Sequence, residues 1–289
     1  MDRHINCIVH SSSEGRLLVG DDHAAIVDCG MAFCAAETIK KVKNALNGRN
    51  LDYILLTHTH YDHVGALPYF RKEWPQIRII AGDIGAAALL KATPRRVIRE
   101  FSIIAAKQFG RGEDISFDDD AFYADIIVKD GDAIQLGGIS AQVLEMPGHT
   151  RDSLSYYIPE IELLMLNETP GVLMSDGSIC PCFLTSYRDT IKSMVKCRRI
   201  KFKELSLPHR GIIGADTIDD FFEKALETDK ECHELTVDML NKGLSDDAIF
   251  QALCNQYMSE AILSYQPKEA FEVNIKAIIA SSKREMTSG

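Results

Sequence analysis

The chain has 289 residues, 46% of them hydrophobic and 26% charged, an ordinary globular composition that excludes collagen, coiled coil and disorder. Its formal net charge of -10 repels a polyphosphate backbone, so no nucleic-acid partner is expected. Nine histidines are present, and three of them fall within residues 58–63, the most informative stretch of the sequence.

The first apolar segments, I-N-C-I-V, R-L-L-V-G and A-A-I-V-D between residues 5 and 30, predict a β-meander, with Ser11-Ser12-Ser13 as a turn. Residues 35–47 switch to helical spacing, with Ile39, Val42 and Leu46 on one face and Gly48 as the stop. A strand at 51–57, a short helix at 65–74 and a strand at 77–81 follow; this βαβ alternation argues for a layered α/β architecture. Residues 83–110 predict two helical pieces broken at Thr93-Pro94, the second carrying Arg95, Arg96 and Arg99. Glu113, Asp114 and Asp118 to Asp120 mark an exposed acidic loop. Strands are predicted at 126–128, 133–136, 139–145, 153–158 and 162–167, then a helix at 187–198 and a short strand, E-L-S-L, before Pro208. From Asp216, read as a helix cap, the chain turns wholly helical; Gly243 ends one helix, Ser245 starts the next and Pro267 opens the last. Their one-sided apolar stripes predict a helical cap, 216–289, on a body spanning 1–215 that carries a helical insertion at 83–112.

The eight cysteines are scattered, and the N-terminal residues lack the apolar stretch and cleavage site of a signal peptide. No run approaches the ~18 apolar residues of a membrane span. A reducing, cytoplasmic setting without membrane attachment is expected. Cys180-Pro-Cys182 lacks the second pair that a structural zinc site needs and reads as loop or core thiols.

In T-H-T-H-Y-D-H, four metal-ligand types, His58, His60, Asp62 and His63, occupy six positions directly after an apolar strand. So short a stretch cannot close two metal shells, and further ligands are expected at later strand ends. His149 in M-P-G-H-T, Glu168 in L-N-E-T and His209 in L-P-H-R-G stand at such ends, where open α/β sheets build their sites. Asp176 is a rival carboxylate to Glu168.

These motifs resemble the metallo-β-lactamase superfamily of binuclear metal hydrolases, whose H-x-H-x-D-H signature is matched by H-T-H-Y-D-H. Pro147-Gly148-His149 and Leu207-Pro208-His209 match its later histidines, and the likeness in layout covers residues 5–215. The resemblance implies a four-layer αββα sandwich with His58, His60 and His149 on one metal, and Asp62, His63 and His209 on the other. Glu168 stands where the family usually has a bridging Asp, one methylene shorter. Asp28, in V-D-C-G, matches an acid that orients a ligand imidazole. Two divalent ions are implied, zinc first, with iron or manganese compatible with the same donors. A hydroxide held between the ions would be the nucleophile, and Asp62, as the catalytic acid or base, would take or steer its proton. Consistently, the sequence has no G-x-S-x-G elbow.

The run H-Y-D-H-V-G-A-L-P-Y, the inserted helices and the helical cap resemble the thioesterase-like, glyoxalase II branch of the superfamily. The expected substrate is a small ester or thioester, an anionic acyl-thioester being the class that Arg95, Arg96 and Arg99 would meet; solvated helix charges are the alternative reading of those arginines. A phosphodiesterase on the same dinuclear site, and a metal-retaining binding or regulatory protein with little turnover, remain the alternatives. A di-iron redox relative would carry Glu at the place of His60.

Overall fold

A computed structural model describes residues 4–6, 15–109, 115 and 117–287. The predicted turn at Ser11 to Ser13 and the acidic Glu113 and Asp114 lie outside the described residues, as does most of the first predicted strand. The chain divides into two compact units, Met1–Glu145 with Leu154–Met165, and Met146–Ser153 with Leu166–Gly289.

The first unit holds β1 (His4–Asn6), β2 (Arg16–Val19), β3 (Ala24–Val27), α1 (Ala35–Leu46), β4 (Tyr53–Leu55), α2 (Tyr61–Val64), α3 (Leu67–Glu73) and β5 (Arg78–Gly82). It continues with α4 (Asp83–Leu89), α5 (Ala92–Gln108), β6 (Ile126–Val128), β7 (Ala133–Gln135), β8 (Ser140–Glu145), β9 (Leu154–Ile158) and β10 (Leu163–Met165). Strands β1 to β6 form one sheet in sequence order, antiparallel from β1 to β3 and parallel from β3 to β6. Every residue of β2, β3 and β4 is buried, which explains their continuous apolar runs rather than a period-two alternation. Strands β7 to β10 form an antiparallel meander. The two sheets of this unit are tied where Tyr156, wholly buried, donates its hydroxyl to the Leu56 carbonyl at 2.7 Å and the Leu154 amide reaches the Thr57 carbonyl at 2.7 Å. Because β3 and β4 run parallel with Val27 opposite Leu55, the residues leaving both strands, Asp28 and Thr57, emerge side by side at one sheet edge.

The predicted helical break moves from Thr93-Pro94 to the residues between Leu89 and Ala92. Pro94 falls in the first turn of α5, where an amide has no partner four residues back and a proline therefore costs little.

The second unit holds the hairpin β11 (Val172–Leu173) and β12 (Ile179–Cys180), α6 (Tyr187–Cys197), and the hairpin β13 (Glu204–Leu207) and β14 (Gly211–Gly214). Four helices follow: α7 (Ala215–Asn241), α8 (Asp246–Tyr257), α9 (Glu260–Tyr265) and α10 (Lys268–Thr287). Strand β14 runs straight into α7, so extended Gly214 occupies the cap position and Asp216 lies in the first turn, where it still meets the positive end of the dipole. Ser245 caps α8 through the Ala248 amide, and Ser259 caps α9 through that of Ile262. Phe183, Cys232, Ile249, Leu253, Phe271 and Ile278 fill the core that these helices share with the β11–β12 hairpin. Cys180 and Cys182 are thiols of that core, and the hydrogen bond with the neighbouring Cys180 thiol, together with burial, pushes the Cys182 thiol well up. Among the described residues, no helix is long and apolar enough to cross a membrane.

One carboxyl sits in this core without a charged partner of opposite sign. Asp229, on α7 and wholly buried, has its pKa raised well above the carboxylate range by desolvation, which the Cys182 backbone only partly offsets. Above that range the unfolded chain releases this proton and the folded chain keeps it, so the group costs stability as pH rises. The Asp229→Asn protein is therefore expected to be more stable than wild type at pH 8, with the gap closing as pH falls toward 4, as followed by urea unfolding across pH.

Candidate metal centre

In the first unit the site begins with Asp28, wholly buried and in the left-handed region at φ 56°, a conformation that costs a non-glycine residue energy. Its amide bonds the Leu55 carbonyl at 3.0 Å, so the strain follows from the turn that ends β3 beside β4. The carboxylate then collects three donors. The Thr57 amide reaches Oδ1 at 2.8 Å, the Thr57 hydroxyl reaches Oδ2 at 2.7 Å, and His63 Nδ1 reaches Oδ2 at 2.8 Å.

This network settles two tautomers. An ionised carboxylate only accepts, so His63 carries its proton on Nδ1. The single Thr57 proton is given to Asp28, so its oxygen accepts from His58 Nδ1 at 3.0 Å. Both histidines are thereby left with Nε2 as the lone-pair nitrogen, the state in which imidazole binds a metal. The His58 ring lies 4.1 Å from that of His63 and 4.6 Å from that of His60, centre to centre, and Asp62 Oδ2 stands 3.7 Å from His63 Nε2. The stretch is partly helical: extended His60 directly precedes the single turn α2, which contains Asp62 and His63. Two amides, of Cys29 and Gly30, hold the His63 carbonyl at 2.9 and 3.1 Å.

In the second unit His149, Glu168 and His209 stand together. His149 is wholly buried, and its Nδ1 bonds the Cys182 carbonyl at 2.9 Å, which again leaves Nε2 for a metal. Gly148 precedes it at φ 146°, and a Cβ there would lie 2.2 Å from Thr190 Oγ1, so no other residue fits. Asn167 and Thr169 flank Glu168, and their side chains both bond the Met146 carbonyl, at 3.3 and 2.7 Å. Glu168 lies three residues beyond β10 and presents one oxygen to each imidazole: Oε2 is 3.1 Å from His149 Nε2 and Oε1 is 2.6 Å from His209 Nε2. His209 occupies the turn between β13 and β14 at φ 60°. The rival Asp176 is exposed in the β11–β12 turn, where the Ser178 hydroxyl and amide hold its carboxyl below the usual range.

The three arginines of α5 meet local partners. Arg95 donates to the Phe122 carbonyl at 2.8 Å, Arg96 pairs with Glu100 at 3.2 Å, and Arg99 pairs with Asp119. Arg95 and Arg99 are thus partly buried and bonded within the first unit rather than simply solvated, and Arg96 is exposed. Sequence reasoning missed Thr57, although it directly precedes the cluster, and the Cys182 carbonyl, for which a sequence carries no signal. It also missed Tyr265, whose hydroxyl lies 3.4 Å from Glu168 Oε1 across 97 positions of sequence.

His63 and His149, each with Nδ1 committed and Nε2 turned to a carboxylate oxygen, are donors that a divalent borderline metal fits. Residues 17–165 match the family model of the metallo-beta-lactamase superfamily. A hydroxyacylglutathione hydrolase of Rhodopseudomonas palustris is 31% identical over 122 residues, 42% of this chain and 35% of that protein. A probable metallo-hydrolase of Burkholderia pseudomallei is 30% identical over 165 residues, 56% of this chain and 50% of its own length. The chain thus matches between about a third and a half of the length of these relatives. Among solved structures, a superfamily protein of the archaeon Sulfolobus tokodaii superposes with a TM-score of 0.61 at 17% identity, covering 95% of this chain and 93% of that one. A family protein of Thermus thermophilus gives 0.61 at 18% identity, covering 99% and 95%. At such identities the likeness concerns the fold, which is that of the metallo-β-lactamases. With its matched model spanning more than half of the sequence, the chain belongs to the metallo-β-lactamase superfamily.

Proposed function

We propose that this protein hydrolyses a small ester or thioester at a dinuclear metal centre. The observation that carries the reading is Glu168, whose two carboxylate oxygens address two different imidazoles, as a carboxylate shared by two cations must. In this reading, which rests on the sequence motifs, His58, His60 and His149 hold one ion, Asp62, His63 and His209 hold the other, and Glu168 is shared by both. Zinc suits the mixed imidazole and carboxylate donors, and iron or manganese would be accepted by the same set.

When bound, two such ions polarise the substrate's carbonyl and lower the pKa of water toward ~7. The chain's own residues do the rest. Asp28 and Thr57 hold His63 and His58 in the productive tautomers. The Cys182 carbonyl does the same for His149. Asp62, with its carboxylate beside His63, takes or steers the proton of the attacking water. No protein nucleophile is needed.

The name hydroxyacylglutathione hydrolase, carried by a relative, supports an anionic acyl-thioester as the substrate class. Since Arg95, Arg96 and Arg99 hold local partners, the positive charge of the ions themselves is the attraction for that anion. A reducing, cytoplasmic setting suits the free thiols of the second unit's core.

Zinc-loaded protein is expected to hydrolyse members of a panel of acyl-glutathione and acyl-coenzyme A thioesters, to lose that turnover on chelation and to regain it when zinc is restored. Turnover of bis-p-nitrophenyl phosphate exceeding that of every ester and thioester would favour the phosphodiesterase instead, and no turnover across all classes a binding protein. A second expectation concerns Thr57. Thr57→Val removes the hydroxyl that fixes His58 and should weaken zinc binding about 10- to 100-fold, the usual cost of an outer-shell partner. Thr57→Ser should restore it, as read by competition with a chromophoric chelator.

A further inference from the structure

We infer that Tyr265, from the C-terminal helices, is a positioning residue for the metal centre, holding Glu168 and His209 in their ligating geometry; this rests on the dinuclear reading above. Tyr265 is the last residue of α9, a six-residue helix fixed at its start by the Ser259 cap, and it is 7% exposed. Its hydroxyl lies 3.4 Å from Glu168 Oε1, the same oxygen that stands 2.6 Å from His209 Nε2. Its ring meets that of His209 edge to face, with centroids 4.8 Å apart and planes at 65°. One side chain therefore touches two proposed ligands of a single ion, one by its polar tip and one by its apolar body.

A carboxylate oxygen accepts more than one hydrogen bond, so the phenol can donate to Oε1 without displacing its other partner. Glu168 is one methylene longer than aspartate, and the additional torsion lets its carboxylate swing. A buried phenol donor restricts that swing, while the ring limits rotation of the imidazole. The effect should fall on the ion assigned to Asp62, His63, Glu168 and His209 more than on the other, because both contacts are to that set.

The test is Tyr265→Phe in the full chain, which keeps the ring and deletes only the donor. Metal-free wild type and variant are titrated with zinc alone against a chromophoric chelator, and their metal-free melting temperatures are compared. The expected result is two ions bound by both proteins, with the Kd of one ion raised about 10-fold in the variant, the other moved less, and the metal-free melting temperature unchanged. A variant that holds both ions as tightly as wild type overturns the positioning role. So does equal weakening of both ions accompanied by a lower metal-free melting temperature, which marks a general packing contribution. Wild-type protein that binds fewer than two ions overturns the dinuclear reading and this inference together.

Discussion

A buried imidazole has two nitrogens, and it can serve a metal well only if the far one is held by something that does not move. In the first unit that requirement comes to rest on Asp28. Its carboxylate has no exposure and must spend its charge on internal donors, and it finds them in Thr57 and His63. The parallel register of β3 and β4 places donor and acceptor side by side, and the left-handed turn at Asp28 aims the carboxylate back at the residue leaving β4. In the proposed function, stability and metal binding share this interaction: the carboxylate satisfied by these bonds also fixes which nitrogen of His58 and His63 would be left for a cation.

The second unit solves the same problem differently. His149 is held by a backbone carbonyl, that of Cys182, which is anchored in the apolar core beneath α7 and α8. Positive-φ backbone recurs beside the proposed ligands, taken by Gly148 before His149 without steric cost and by His209 at the cost of some strain. Rigid strand ends carry the polar groups, and packed elements behind them supply orientation, an arrangement that supports hydrolytic chemistry without a protein nucleophile.

Much of this was legible in the sequence because the site residues follow apolar strands, and a strand's end is marked by its loss of hydrophobic character. His58 to His63, His149 and His209 carry that mark, and Asp28 stands directly after A-A-I-V. What could not be read depended on contacts distant in sequence or on groups common to every residue. Thr57 is an ordinary strand-end threonine until Asp28 is beside it, and the carbonyl of Cys182 looks like any other. Strand β14, two isoleucines between glycines, is too short to register as periodic, and six-residue α9 shows no full helical repeat. Pro94 pointed to a helix break because proline in a helix interior is costly, whereas the first turn tolerates it. The formal charge of -10 argues against a polynucleotide track, yet it counts only the chain. Two bound cations would concentrate positive charge at the site, which suits the anionic substrate class proposed above.

The central claim is that Glu168 serves two cations at once. Anomalous diffraction at the zinc absorption edge, from crystals of wild-type protein grown with zinc, tests it most directly. The account predicts two peaks ~3.5 to 4 Å apart, the spacing of two-metal hydrolytic sites, one beside each oxygen of Glu168. A single peak, or two peaks of which one lies away from Glu168, would contradict it.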